Sequence, residues 1–126
     1  MMELEIGGAV YAFRFGMGFL REINRRVTLP LEGAKGVTQN VGLRYAIAQV
    51  MDGDVETLAD VLDVANRTEQ PRLARKDLEA WLEDEGTDIE AVFTEVLDFF
   101  SRANCTRKTA KEVLEAAALL RQKAQA

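Results

Sequence analysis

The first fifteen residues alternate in a way that fits a β-hairpin and no helix. With a two-residue turn at Gly7-Gly8, Ile6 pairs with Ala9, Leu4 with Tyr11 and Met2 with Phe13. One face then carries Met2, Leu4, Ile6, Ala9, Tyr11 and Phe13, with Phe15 continuing it. The other carries Glu3, Glu5, Val10, Ala12 and Arg14. A slip of one residue would move every side chain of a strand to the opposite face, so the pattern specifies this register strongly. The two glycines suit a tight hairpin turn, whose central residues need positive φ. A lone hairpin is marginal in water, so the apolar face must pack on the rest of the chain.

The remainder reads as helix. From Gly18 the period lengthens: Phe19, Leu20, Ile23 and Val27 share one helical face, while Arg21, Glu22, Arg25 and Arg26 take the outside. Leu29-Pro30 ends this helix, because the residue before proline avoids the helical region. Residues 30–39, with Gly33 and Gly36, read as an exposed loop. Helix resumes near Asn40, a good cap, with Leu43, Ala46, Ile47, Val50 and Met51 inward. Asp52-Gly53-Asp54 is a helix stop and a helix start: Gly53 suits the left-handed position past a helix end, and Asp54 suits an N-cap. A third helix buries Val55, Leu58, Val61, Leu62 and Ala65 and ends at Asn66. Thr68 to Leu73, with Pro71, connect it to a short helix holding Leu78, Trp81 and Leu82.

Thr87-Asp88-Ile89-Glu90 reads as a capping box, with Thr87 at the N-cap and Glu90 at N3. It opens the strongest helix of the chain, running to about Asn104. The apolar residues Ile89, Val92, Phe93, Val96, Leu97, Phe99 and Phe100 cover an arc of roughly 160°, where packing on one neighbour needs about 100°. The surplus predicts either two internal neighbours or an edge kept for a partner. Thr106 is the expected cap of a last helix carrying Val113, Leu114, Leu119 and Leu120. The expected fold is mainly α: an N-terminal β-hairpin packed on a compact bundle of about six helices. It forms one domain over residues 1–126, with the hairpin at 1–15, the helical body at 18–104 and the C-terminal helix at 106–126.

Composition removes most chemistry. A chain of 126 residues has room for one core. It contains no His, which excludes Ser-His-Asp and Cys-His catalysis and His-ligated zinc. The single Cys105 offers neither an internal disulfide nor a metal cluster, and no general base accompanies it. Lys and Arg total 16 against 21 Asp and Glu, a formal charge of −5. An acidic chain is poorly suited to unspecific nucleic-acid binding or to an anionic membrane; the run Arg21 to Arg26 is the one feature that favours nucleic acid. The N-terminus lacks the basic start and apolar run of a secretory signal, and no stretch approaches the roughly 18 apolar residues of a membrane span. Gly16-Met17-Gly18 lacks the third glycine of a dinucleotide loop, and Gly33-Ala34-Lys35-Gly36 lacks the spacing of a phosphate loop. Asp52 and Asp54 lack the further ligands of a calcium loop. Catalytic residues, cofactors and metals are therefore not expected, and the chain reads as a binding protein rather than an enzyme.

Two features suit binding. On the strong helix, Phe100 lies near the centre of the apolar arc, while Phe99 and Leu97 lie at its opposite edges. Either edge could face a groove, and ordinary packing is the other reading. Phe99 is the leading candidate for a partner anchor, Leu97 is the candidate at the other edge, and Leu119 and Leu120 on the last helix are further candidates bordering the groove. Glu83, Asp84, Glu85, Asp88, Glu90, Glu95 and Asp98 form an acidic run with no cation among them. Basic residues flank it: Arg67, Arg72, Arg75 and Lys76 before, and Arg102, Arg107, Lys108 and Lys111 after. A solvated helix face is the ordinary reading. The more specific one is head-to-tail self-association, with Arg72, Arg75 and Lys76 facing Glu83, Asp84 and Glu85 of another copy. Such contacts give rings or filaments rather than closed dimers.

The order of features carries a resemblance. Leu4-Glu5-Ile6-Gly7-Gly8, followed by the run from Tyr11 through Phe15-Gly16-Met17-Gly18-Phe19-Leu20 to Asn24, resembles the start of the tail assembly chaperones of long-tailed, siphovirus-type bacteriophages and prophages. Asn40-Val41-Gly42-Leu43, Asp52-Gly53-Asp54-Val55, Val64-Ala65-Asn66 and the segment from Thr87 to Asn104 fit the same family. The likeness runs over about the first 105 residues. It implies a protein that coats the tape measure protein, keeps it soluble and helps tail tube polymerisation, yet is absent from the mature virion. It also implies residence in the cytoplasm of the bacterial host and self-association along the client. Genes of this type often give a longer, frameshifted product thought to recruit the tail tube protein; this chain would be the short form. The alternative is a structural tail or head–tail joining protein, which would remain in virions.

Overall fold

The computed structural model describes the backbone of residues 1–125. Its opening hairpin has the register that the alternation requires. Strands β1 (Met2–Ile6) and β2 (Ala9–Phe13) run antiparallel, pairing Met2 with Phe13, Leu4 with Tyr11 and Ile6 with Ala9. Gly7 and Gly8 take φ of 61° and 83°. Met2, Ile6 and Phe13 are buried, and Leu4 and Tyr11 pack half-buried against the same core. The Arg14 N–H donates to the Ala65 carbonyl at 2.8 Å, tying the end of the hairpin to the helical body.

Helix α1 (Met17–Asn24) buries Phe19 and Ile23. It ends well before the proline, so Val27 lies beyond it. The segment expected to be loop is instead a second hairpin: β3 (Thr28–Pro30) pairs with β4 (Thr38–Asn40), Leu29 opposite Gln39. The Leu31 N–H adds a bond to the Val37 carbonyl at 2.9 Å. Pro30 is accommodated because the two-stranded sheet has only edge strands. All six strand residues are exposed, so no buried face imposed the alternation by which strands are recognised.

Helix α2 (Gly42–Met51) therefore begins after β4, and Asn40 belongs to the strand rather than to a cap. Its start is set by α1: the Leu43 N–H donates to the Asn24 side chain at 3.3 Å. A Cβ at residue 42 would stand 1.8 Å from the Ile23 carbonyl oxygen, so only glycine lets the two helices approach this closely. Helix α3 (Val55–Asn66) is capped as its sequence suggests, Asp54 accepting from the Glu56 N–H at 3.2 Å, with Gly53 at φ +82°. Val55, at the first position and the rim of the apolar face, is exposed rather than buried.

Helix α4 (Arg75–Glu83) buries Leu78. Helix α5 (Ile89–Arg102) is capped one residue later than the capping box implies: Asp88 accepts from the Ala91 N–H at 3.1 Å. The Thr87 hydroxyl donates to the Trp81 carbonyl at 2.6 Å, closing α4, and the Asp88 carboxylate takes the orphan amide of α5. Helix α6 runs Arg107–Gln125; Ala126, in the expected C-terminal helix, lies outside the described residues. Thr106 stands at its start, fully buried, with its hydroxyl donating to the Phe100 carbonyl at 2.7 Å.

The protein is mainly α, six helices with the hairpin against them and a small second sheet. Phe15, Phe19 and Phe100 meet in an aromatic cluster, with ring centroids 4.9 to 6.1 Å apart. Asn66, fully buried, uses every polar site of its side chain. Its amide nitrogen donates to the Ala12 and Pro71 carbonyls, and its oxygen accepts from the Leu73 N–H and from Arg72. One side chain thus joins β2, α3 and the connector.

Candidate partner-binding surfaces

Helix α5 divides as its arc predicts. Val92, Phe93, Val96 and Phe100 are buried, while Leu97 and Phe99 at the two edges are half-buried against the core. Phe99 also lines a groove of about 550 Å³ where the end of the first hairpin meets the turn between α5 and α6. Phe13 and Phe15 contribute to the same groove, Arg14 and Arg102 bring positive charge to it, and Cys105 borders it. The Arg102 guanidinium lies 4.3 Å from the Phe99 ring centre and pairs with Asp98 at 2.7 Å. Arg14 likewise pairs with Glu69 at 3.3 Å, so the aromatic base is the part of the groove that suits a partner's apolar side chain.

Leu119 and Leu120 do not border the groove that Phe99 lines. Leu120, 68% exposed, lines a separate groove of about 330 Å³ between α2 and α6, with Ala48, Met51 and Val113. Leu119, 54% exposed, and Leu97 line neither of these two. A third apolar surface escaped the sequence reading. On the β3–β4 arm, Leu29, Leu31 and Val37 share one face and are 49%, 41% and 48% exposed. The signal was present in the spacing of Leu29 and Leu31 across the glycines from Val37, but two leucines around a proline do not distinguish a strand from a loop.

The charges are arranged unevenly. Arg72 pairs with Asp63 at 2.7 Å, and Arg75 pairs with Asp60 at 2.9 Å and Glu79 at 2.8 Å. Burial opposes ionisation of Asp63, but hydrogen bonds from Arg72 and Arg67 hold its carboxyl below the usual aspartate range. Glu22 is likewise held low, against its desolvation, by Arg25, Arg26 and Arg67, so the two arginines just past α1 face a carboxylate of their own chain. Among the described residues, Lys76, Glu83, Asp84, Glu85, Arg107, Lys108 and Lys111 make no ion pair within 4.0 Å. The described residues contain no group of His, Cys, Asp and Glu placed to hold a metal ion, and no helix long and apolar enough to cross a membrane.

The family model for phage tail assembly chaperone protein, TAC, matches residues 3–115. No curated protein and no solved structure matched the chain. The family match spans the hairpin, the arm, helices α1 to α5 and the first half of α6. The chain belongs to the phage tail assembly chaperone family.

Proposed function

We propose that this protein binds the tape measure protein of its phage, keeps it soluble while the tail tube polymerises around it, and is absent from the finished virion. The observation that carries this reading is the family match over residues 3–115. The open apolar surfaces support it. A long client built of amphipathic helices would lay its apolar stripe into a groove, reading out at helical spacing. Phe99 is the leading anchor, with Leu97, Leu119, Leu120 and the arm as further contacts. Many copies along one client gain from multivalency, so each contact can be weak. The work is holding rather than turnover, performed in the host cytoplasm without cofactor, nucleic acid or membrane. Copies associate with one another along the client through opposed charges, in which Arg72, Arg75 and Lys76 and the acidic Glu83, Asp84 and Glu85 are the candidates. A longer frameshifted product would bring in the tail tube protein.

Co-expression with the tape measure protein tests the reading. The wild-type chain raises the soluble fraction of the client and co-purifies with it, and Phe99→Asp, while folded, does neither. Purified virions contain no copies. A chain that never changes client solubility, or that remains in virions in stoichiometric amount, overturns the proposal, the latter in favour of a structural tail or head–tail joining protein.

A further inference from the structure

Helix α5 separates two patches of opposite charge. Its 14 residues span about 21 Å at 1.5 Å per residue. At its N-terminal end, the turn from α4 exposes Glu83, Asp84, Glu85 and Asp88 with no cation paired to them among the described residues. At its C-terminal end, Arg107, Lys108 and Lys111 line a groove of about 520 Å³ between α5 and α6, with Leu114 as its apolar part. Glu115 lines it too, so the groove keeps a surplus of two positive charges.

Two of these cations, Arg107 and Lys108, are placed against the preference of their own helix. The start of a helix carries partial positive charge, which favours acidic residues, yet the first turn of α6 has none. Arg107, Lys108 and Lys111 make no ion pair among the described residues that would offset this, in contrast to Arg72 and Arg75. The groove therefore offers apolar surface and a positive charge that Glu115, and Glu112 one turn from Lys108, offset only in part, and the acidic turn offers the complementary charge at a distance its own chain cannot bridge. We infer that the acidic turn of one copy docks in the α5–α6 groove of the next. This rests on the self-association proposed above and moves its cationic side from Arg72, Arg75 and Lys76 to Arg107, Lys108 and Lys111. The two patches differ, so each copy gives a turn and receives one, and the contact propagates into rings or filaments. Exposed ion pairs are individually weak and screened by salt, so assembly is favoured at low ionic strength.

Sedimentation velocity of the full chain decides the matter. The wild type forms species larger than a dimer that grow with concentration at low salt and dissociate at high salt. Lys108→Glu with Lys111→Glu, or Glu83→Lys with Glu85→Lys, weakens association at least tenfold, with far-ultraviolet circular dichroism unchanged. The neutral pair K108Q and K111Q gives a smaller loss. An equimolar mixture of the two reversed variants assembles again, because each supplies the face the other lacks. Variants that assemble as well as the wild type, or folded variants whose mixture stays monomeric, overturn this interface and leave self-association to another face. A wild type that is monomeric in both salts removes the self-association reading itself.

Discussion

The chain contains two hairpins of similar size and opposite fate. The first, β1–β2, buries Met2, Ile6 and Phe13 in the core. The second, β3–β4, keeps all six strand residues exposed, with an apolar face of Leu29, Leu31 and Val37 turned outward. The hydrogen-bonded ladder alone distinguishes neither, since a bare two-stranded hairpin is marginal in water. What differs is whether a face is covered. The first hairpin is held by packing and by the Asn66 network. The second is held at its base, where the Val41 N–H bonds to the Val27 carbonyl at 2.8 Å and α2 begins against α1. Apolar surface that folding leaves open is available to a partner, whereas the apolar face of the first hairpin is committed to the fold except at its end, where it borders the Phe99 groove.

The largest effect is expected at Phe13. Phe13→Ala leaves a void beneath the first hairpin and costs about 3–5 kcal/mol, read as a lowered chemical-denaturation midpoint. Gly42→Ala tests the base of the arm. Its methyl group would collide with the Ile23 carbonyl, forcing α1 and α2 apart at a cost of about 3 kcal/mol, the upper end for overpacking, with a matching drop in melting temperature.

Asp63 supports the tie between β2 and α3, because Arg72 bridges its carboxylate and Asn66. Asp63→Asn costs about 1–3 kcal/mol at neutral pH, as expected for losing charged hydrogen bonds. The folded carboxyl titrates below its unfolded value of about 3.9. Its contribution is therefore complete above that pH and is lost as pH falls through the folded value. With no His in the chain, thermal stability should stay nearly level from pH 6 to 8 and fall steeply in acid, less steeply for Asp63→Asn. The smallest effect belongs to the arm. Leu31→Ser should change stability by no more than about 0.5 kcal/mol, as for other exposed positions. A cost near that of Phe13→Ala would show that the arm is part of the core and dissolve the comparison.

The same contrast explains what could be read in the sequence. The β1–β2 register was legible because a buried face forces large side chains into strict alternation. The centre of α5 was legible for the same reason at helical period, Phe100 inward and Phe99 and Leu97 at the rims. The arm was not, because no burial disciplines its side chains. Cap positions were half legible. Asp54 acts within its own segment and was clear, whereas Thr87 and Thr106 bond to carbonyls of neighbouring helices and Asn24 supports α2 from 19 residues away. Charge was legible as blocks, but not which cations the fold had already paired. Arg72 and Arg75 look as free in sequence as Lys108 and Lys111.

Client binding is tested most directly by a nuclear magnetic resonance titration of the labelled chain with a soluble helical fragment of the tape measure protein. Saturable shifts are expected at the Phe99 groove, in Phe15, Phe99, Arg102 and Cys105, with smaller changes on the arm and little in the Asn66 network. No shift at millimolar fragment, or shifts confined to other surfaces with the Phe99 groove silent, would contradict client binding at that groove.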